Sequence, residues 1–187
     1  VSDMRFVEAA AREVGSVIRP GGLCVLESTS PPGSTRLVEQ IVSEVSGLKP
    51  EEFMTAHCPE RIIPGRMLIE LRQNDRIIGS NRPEAAEYAK SIYEKVVTKG
   101  TIRLTDDLTA EMCKLTENTF RDINIAYANE LSKVCDRLGI DVFQLIDLAN
   151  CHPRVNVHKP GVGVGGHCIA VDPWFIHEKF EDITPLI

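Results

Sequence analysis

A glycine-rich run ends on a thiol at Gly161-Val162-Gly163-Val164-Gly165-Gly166-His167-Cys168. Backbone without side chains can close on a ligand, and the N–H groups beside Cys168 can bind an oxyanion, so a nucleophilic cysteine is one reading. A structural thiol buried in a connector is the other. The same glycines spell G-x-G-x-x-G at Gly161, Gly163 and Gly166. That fingerprint needs a strand before it and a helix opening at it, whereas Lys159-Pro160 precedes and Pro173 follows. The run also lacks the Lys-Ser/Thr ending of a phosphate loop.

Three other places carry chemistry-bearing side chains. Lys114, Asn118 and Arg121 stand at i, i+4 and i+7 on one helical face, either solvated or aimed into a cleft where a cation and an amide hold a developing alkoxide. Cys58-Pro59-Glu60-Arg61-Ile62-Ile63-Pro64-Gly65 leaves a strand in a proline-bracketed loop, the usual site position in an open α/β sheet. Glu60 there is a candidate base, or a carboxylate paired with Arg61. Glu27-Ser28-Thr29-Ser30-Pro31-Pro32-Gly33-Ser34 also leaves a strand, and its hydroxyls either cap the next helix or hold water or a cofactor phosphate. The pairs His57-Cys58, Cys151-His152 and His167-Cys168 have none of the usual zinc-ligand spacings, so no metal site is expected. His167 is poorly placed as a base for its own neighbour Cys168, which weakens a cysteine-hydrolase reading.

The elements that must position these groups alternate. A helical pattern over Ser2 to Arg19 is followed by an apolar run, Leu23 to Leu26, that reads as a strand buried on both faces. Leu37, Ile41 and Val45 recur at helical spacing, and Phe53 to Ala56 is the next strand candidate. The cycle repeats with Arg76 to Gly79 as strand, Pro83 to Val97 as helix and Thr101 to Leu104 as strand. This predicts α/β architecture, part of a doubly wound parallel, Rossmann-like sheet. From Asp106 the texture changes: Leu108, Met112, Leu115, Ile123, Tyr127, Leu131, Val134 and Leu138 keep to one stripe. With Asp106 or Asp107 as N-cap and Gly139 past the end, one helix of roughly 45 Å is expected. A second helix spans Asp141 to Asn150. The expected domains are therefore 1–107, half of a cofactor-binding sheet domain, and 108–187, an all-helical domain.

The 187 residues are 43% apolar and 26% charged, ordinary for a chain with a core. Lys plus Arg at 21 against Asp plus Glu at 27 gives net charge −6, which argues against nucleic acid and anionic membranes as partners. No apolar run approaches the ~20 residues of a membrane span. Six cysteines without C-x-x-C spacing are read as reduced thiols in a cytoplasmic protein. Both ends read as cut from something longer.

In order, Ser28-Thr29-Ser30-Pro31-Pro32-Gly33, Pro59-Glu60-Arg61, Ala110-Glu111-Met112-Cys113-Lys114-Leu115-Thr116-Glu117-Asn118, Ala128-Asn129-Glu130 and Gly165-Gly166-His167-Cys168 with Asp172 resemble the nucleotide-sugar 6-dehydrogenases, the UDP-glucose and GDP-mannose dehydrogenase superfamily. The resemblance spans nearly the whole chain. The run from Lys159 to Trp174 looks most like the UDP-N-acetylmannosamine dehydrogenase branch, where a histidine precedes the catalytic cysteine.

The resemblance implies NAD-dependent, four-electron oxidation of a UDP-N-acetylhexosamine at C6 to the uronic acid. It implies Cys168 as nucleophile, Lys114 and Asn118 as holders of the C6 oxygen and its oxyanion, Asp172 as an aid to proton transfer through water, and Glu60 in thioester hydrolysis. Thr29 would lie near NAD or the catalytic water. Arg61, Ile62, Lys114, Asn118, Arg121, His152, Arg154 and Gly165 would contact the UDP-sugar, His152 and Arg154 reaching the neighbouring subunit's site in a homodimer built on the long helix. The superfamily also carries an N-terminal G-x-G-x-x-G unit and a C-terminal nucleotide-closing domain that this sequence does not contain, so weak NAD binding and no turnover are expected of the chain alone. UDP-glucose or UDP-N-acetylglucosamine are alternative substrates, a non-catalytic dimerisation scaffold is the rival reading, and a cysteine hydrolase is the third.

Overall fold

Short apolar runs closed by turns make the strands, and amphipathic runs between them make the helices. The structure, a computed structural model, describes residues 2–63, 65–163, 166 and 168–185. Two compact units divide between Lys114 and Leu115.

In the first unit α1 (Arg5–Val17), β1 (Leu23–Leu26), α2 (Ser34–Ser46), β2 (Met54–His57), α3 (Met67–Gln73), β3 (Arg76–Gly79), α4 (Pro83–Tyr93) and β4 (Ile102–Thr105) precede α5 (Asp107–Leu138). The helices are shorter than their patterns suggest. α4, for example, stops at Tyr93 because its carbonyl accepts the N–H groups of both Val96 and Val97, closing a turn. The strands form one sheet in the order β1-β2-β3-β4. The α/β class and both β-α-β units are as read from the sequence, with β1 parallel to β2 and β3 parallel to β4.

The central junction differs from an all-parallel sheet: β2 and β3 are antiparallel, with His57 opposite Gly79. Parallel neighbours need a crossover that carries the chain back to its starting end. The stretch containing α3 instead returns the chain beside the end it left, so Arg76 at the start of β3 meets Glu60 just beyond β2. One core packs Cys24, Leu26 and Phe53 with Ala11 of α1 and Val38, Ile41 and Val42 of α2. The other packs Ala56, Cys58 and Ile78 with Ala86 and Ala89 of α4. At Gly79 an added Cβ would lie 2.3 Å from the Asp106 carbonyl oxygen and 2.5 Å from Ala110 Cβ, so the start of α5 can lie against β3 only over a glycine.

α5 is a single helix of 32 residues, about 48 Å at 1.5 Å per residue. Asp106 is its N-cap: one carboxylate oxygen accepts the Thr109 N–H at 2.9 Å and the other its hydroxyl at 2.6 Å. Gly139, at φ 67°, turns the chain out of it. In the second unit the regular elements among the described residues are helical, α5 being followed by α6 (Val142–Ala149) and α7 (Asp172–His177). Asp141 caps α6 by accepting the Phe143 N–H at 2.7 Å. The single apolar stripe expected along α5 is divided in this unit. Leu115, Ala128 and Cys135 are buried, whereas Phe120, Tyr127, Val134 and Leu138 are half or more exposed.

Candidate functional site

In the first unit the candidate residues gather past the carboxyl ends of β1 and β2. Glu60 is held at both oxygens. Oε1 accepts the N–H groups of Arg61 at 2.6 Å and Ile62 at 2.8 Å, while Oε2 accepts from the Arg76 guanidinium at 3.1 Å. The Glu60 side chain stays 40% exposed, so the carboxylate is fixed and still reachable. The alternative of a Glu60–Arg61 side-chain pair gives way to Arg76, because Arg61 turns its guanidinium to the Asp75 carbonyl at 3.4 Å. Arg61 and Ile62 are half-buried.

Arg76 is 2% exposed and lies 5.8 Å from the centre of the Tyr93 ring. The Tyr93 hydroxyl donates to Glu27. Burial, and then that hydrogen bond, raise the Tyr93 pKa. Burial likewise pushes the Cys58 thiol up, partly offset by Arg76. Arg76, Tyr93 and Glu27 were missed as a group from the sequence. The available signal was an arginine opening a strand that is otherwise apolar.

Thr29 is half-buried in the loop after β1, the end of the sheet at which open α/β folds hold ligands. The N-terminus of α2 that follows is already occupied. The buried carboxylate of Glu111 accepts the Gly33 N–H at 2.6 Å, and the Thr35 N–H and hydroxyl at 2.7 and 2.6 Å. Ser30 and Ser34 turn their hydroxyls onto the carbonyls of Ser28 and Pro31. That terminus is capped from 76 residues away rather than by a phosphate or by its own hydroxyls. Beneath it, Arg36 and the buried Asp107 form a two-pronged pair at 2.6 and 3.0 Å. Lys114, half-buried, is the last residue of this unit.

In the second unit three candidates are joined. The buried Asn118 amide donates to Asp172 at 2.5 Å. The carbonyl of Cys168 accepts the N–H of Asp172 at 2.9 Å and of Val171 at 3.1 Å, which ties the thiol-bearing residue to the first turn of α7. Cys168 itself is exposed. Arg121, His152 and Arg154 are exposed, and the Arg154 N–H donates to His152 Nδ1 at 3.3 Å. Gly165 and His167 lie outside the described residues. The loop between α6 and α7 is held by side-chain amides: Asn150 brackets Val157 with bonds of 3.0 and 2.7 Å, and Asn129 accepts the Gly161 N–H at 2.9 Å. Among the described residues no group of three His, Cys, Asp or Glu could hold a metal ion. No helix among them is long and apolar enough to cross a membrane.

Comparison with known proteins gives this arrangement its context. Residues 1–97 match the NAD binding domain of the UDP-glucose/GDP-mannose dehydrogenase family, and residues 108–185 match its central domain. The chain belongs to that family. NAD is the cofactor that the family's N-terminal domain binds. The chain is 51% identical to the NDP-N-acetyl-D-galactosaminuronic acid dehydrogenase of Ralstonia nicotianae, over 99% of this chain and 45% of that protein. It is 49% identical to the UDP-N-acetyl-D-mannosamine dehydrogenase of Yersinia pestis, over 99% and 46%. Among solved structures it superposes on the UDP-D-ManNAc dehydrogenase of Pyrococcus horikoshii with a TM-score of 0.94 at 45% identity, over 98% of this chain and 44% of that one. The chain spans about half the length of the curated relatives it matches.

Proposed function

We propose that the chain carries the catalytic core of an NAD-dependent nucleotide-sugar 6-dehydrogenase acting on a UDP-N-acetylhexosamine, with UDP-N-acetyl-D-mannosamine the favoured substrate. The observation that carries this reading is the Asn118–Asp172 bond beside the backbone-anchored Cys168. It puts an amide donor, a carboxylate and an accessible thiol on one short stretch of structure. The residues divide as 1–107 for the cofactor side and 108–187 for the catalytic and dimerisation side.

Bound NAD supplies hydride acceptance at each of two oxidations. The chain's own residues do the rest. Lys114 and Asn118 hold the C6 oxygen as it loses its proton, stabilising the alkoxide and later the oxyanion. The Cys168 sulfur adds to the C6 aldehyde, its proton leaving, and the tetrahedral adduct becomes a thioester when the second hydride departs. Water then cleaves the C–S bond, with Glu60 accepting the water proton and the thiol released as leaving group. Asp172 relays protons through water. In sum, one alcohol, two NAD and one water give one carboxylate, two NADH and three protons. Thr29 contacts the cofactor side. Arg61, Ile62, Arg121, His152, Arg154 and Gly165 shape the sugar-nucleotide pocket.

Support for a homodimer is the exposed row Phe120, Tyr127, Val134 and Leu138 on α5. The first three are seven residues apart, the spacing of a helix seam. His152 and Arg154 would then serve the neighbouring subunit's site.

A galactosaminuronate-type substrate is the second reading, because relatives of similar identity carry that name. The test is NADH formation from UDP-N-acetylmannosamine by the chain joined to the portions that its relatives carry outside the matched region, beside a Cys168→Ser variant. Two NADH per sugar, lost in the variant, is the expected result. Turnover only with the galacto-configured sugar moves the substrate assignment, and silence with every nucleotide sugar favours a scaffold.

A further inference from the structure

We propose that Arg76 is a positioning residue that fixes the plane of the Glu60 carboxylate. The inference rests on the reading of Glu60 as the group that prepares water for thioester cleavage. Arg76 opens β3 with 2% exposure, and a guanidinium in that place gives up its hydration. What it receives in return is one carboxylate, Glu60 Oε2 at 3.1 Å, the face of Tyr93 at 5.8 Å and the neighbouring Cys58 thiol. Its second nitrogen, Nη2, is buried and makes no regular hydrogen bond among the described residues. Tyr93 is in turn anchored through its hydroxyl to Glu27.

Fold stability alone gives no reason for this layout, because an apolar residue at the start of a buried strand avoids the desolvation altogether. A function for Glu60 does give one. The Oε1 atom is set by two backbone N–H groups and Oε2 by a cation that cannot move, so the plane of the carboxylate is determined from two sides. The 40% exposure of Glu60 leaves the fixed carboxylate open to water. Beside the pair lie Cys58 past β2 and Tyr93 on α4, with Glu27 past β1 holding the Tyr93 hydroxyl.

The test compares wild type, Arg76→Met and Arg76→Lys at one neutral pH. The carbon-13 chemical shift of the Glu60 side-chain carboxylate, read in the chain as it stands, should move in Arg76→Met and stay near wild type in Arg76→Lys, which keeps a cation beside Oε2. In the joined enzyme, thioester cleavage should fall at least tenfold in Arg76→Met and recover in Arg76→Lys, with KM for the sugar unchanged. A Glu60 carboxylate shift equal to wild type in Arg76→Met overturns the proposal, as does an equal loss of cleavage in both variants. Should Arg76→Met fail to fold, Arg76→Gln takes its place under the same criteria. Wild-type thioester cleavage in Glu60→Gln, with the carboxylate shift still answering to Arg76, refutes the role given to Glu60 and leaves its placement by Arg76 standing.

Discussion

Glu111 and Thr35, 76 residues apart, are bound twice through one carboxylate oxygen, which accepts both the backbone N–H and the hydroxyl of Thr35. The other oxygen takes the N–H of Gly33. Glu111 is 1% exposed. A helix N-terminus needs an acceptor for its free N–H groups and favours negative charge, and α2 has no side-chain cap of its own. One carboxylate on α5 meets both needs, so the Thr29 loop and the turn of α5 that leads to Lys114 are fixed together.

Replacing that carboxylate by an amide should therefore be costly. Glu111→Gln leaves one acceptor and turns an NH2 group against a backbone donor, with an expected loss of about 3 kcal/mol. Urea denaturation measures it, and hydrogen exchange should accelerate at Gly33 and Thr35 first. Unchanged stability would mean that the terminus finds another acceptor.

His57 predicts an acid-sensitive unit. It is fully buried, and among the described residues neither ring nitrogen makes a regular hydrogen bond. Burial holds its pKa down at about 4 against an ordinary 6.5. The unfolded chain thus binds the proton more readily, and stability that is complete above pH 6.5 is lost as pH falls towards 4. The loss is about 3 kcal/mol. In His57→Leu the urea midpoint should depend less on pH across that window. Parallel curves for the two proteins would assign the acid sensitivity to other groups.

How far the sequence disclosed this architecture depended on whether the partner was near or far along the chain. The strands, both β-α-β units and the ends of α5 follow from local periodicity, an aspartate cap and Gly139. The direction of β3 does not, because Arg76 to Gly79 reads the same in either orientation and only the path of the α3 connection decides it. The site divided likewise. Cys168, Asp172, Asn118 and Glu60 were marked by residue type and by resemblance. The long-range partners, Arg76 holding Glu60 from 16 residues away and Glu111 of α5 holding Gly33 and Thr35 at the start of α2, became visible only once the chain was folded.

Thiol reactivity should follow burial. Cys168 and Cys151 are exposed, Cys113 is intermediate, and Cys24, Cys58 and Cys135 are buried. Burial also raises the Cys24 and Cys58 thiols, which keeps them protonated and unreactive near neutral pH. Iodoacetamide labelling followed by peptide mass spectrometry should find Cys168 and Cys151 modified first, and Cys24 and Cys58 only on unfolding. Cys168 labelling as slowly as Cys58 would argue against its service as a nucleophile.

The apolar row on α5 gives the last prediction. Phe120, Tyr127 and Val134 recur every seven residues, and Leu138 continues the row, all half or more exposed. Apolar side chains in such a row lose water contact only against another surface, and an obligate dimer interface is of this apolar kind. A carboxylate at its centre would be buried unpaired in the dimer and solvated in the monomer, so Val134→Asp should act on association far more than on folding. Sedimentation should give a dimer for wild type and a monomer for Val134→Asp, with the helical circular dichroism signal retained. A Glu130→Ala control should stay dimeric, because its loss removes no apolar contact from the row. A wild-type chain that sediments as a monomer at every concentration would remove the row as a self-association seam. In that case the placement of His152 and Arg154 at a neighbouring subunit's site would fall with it.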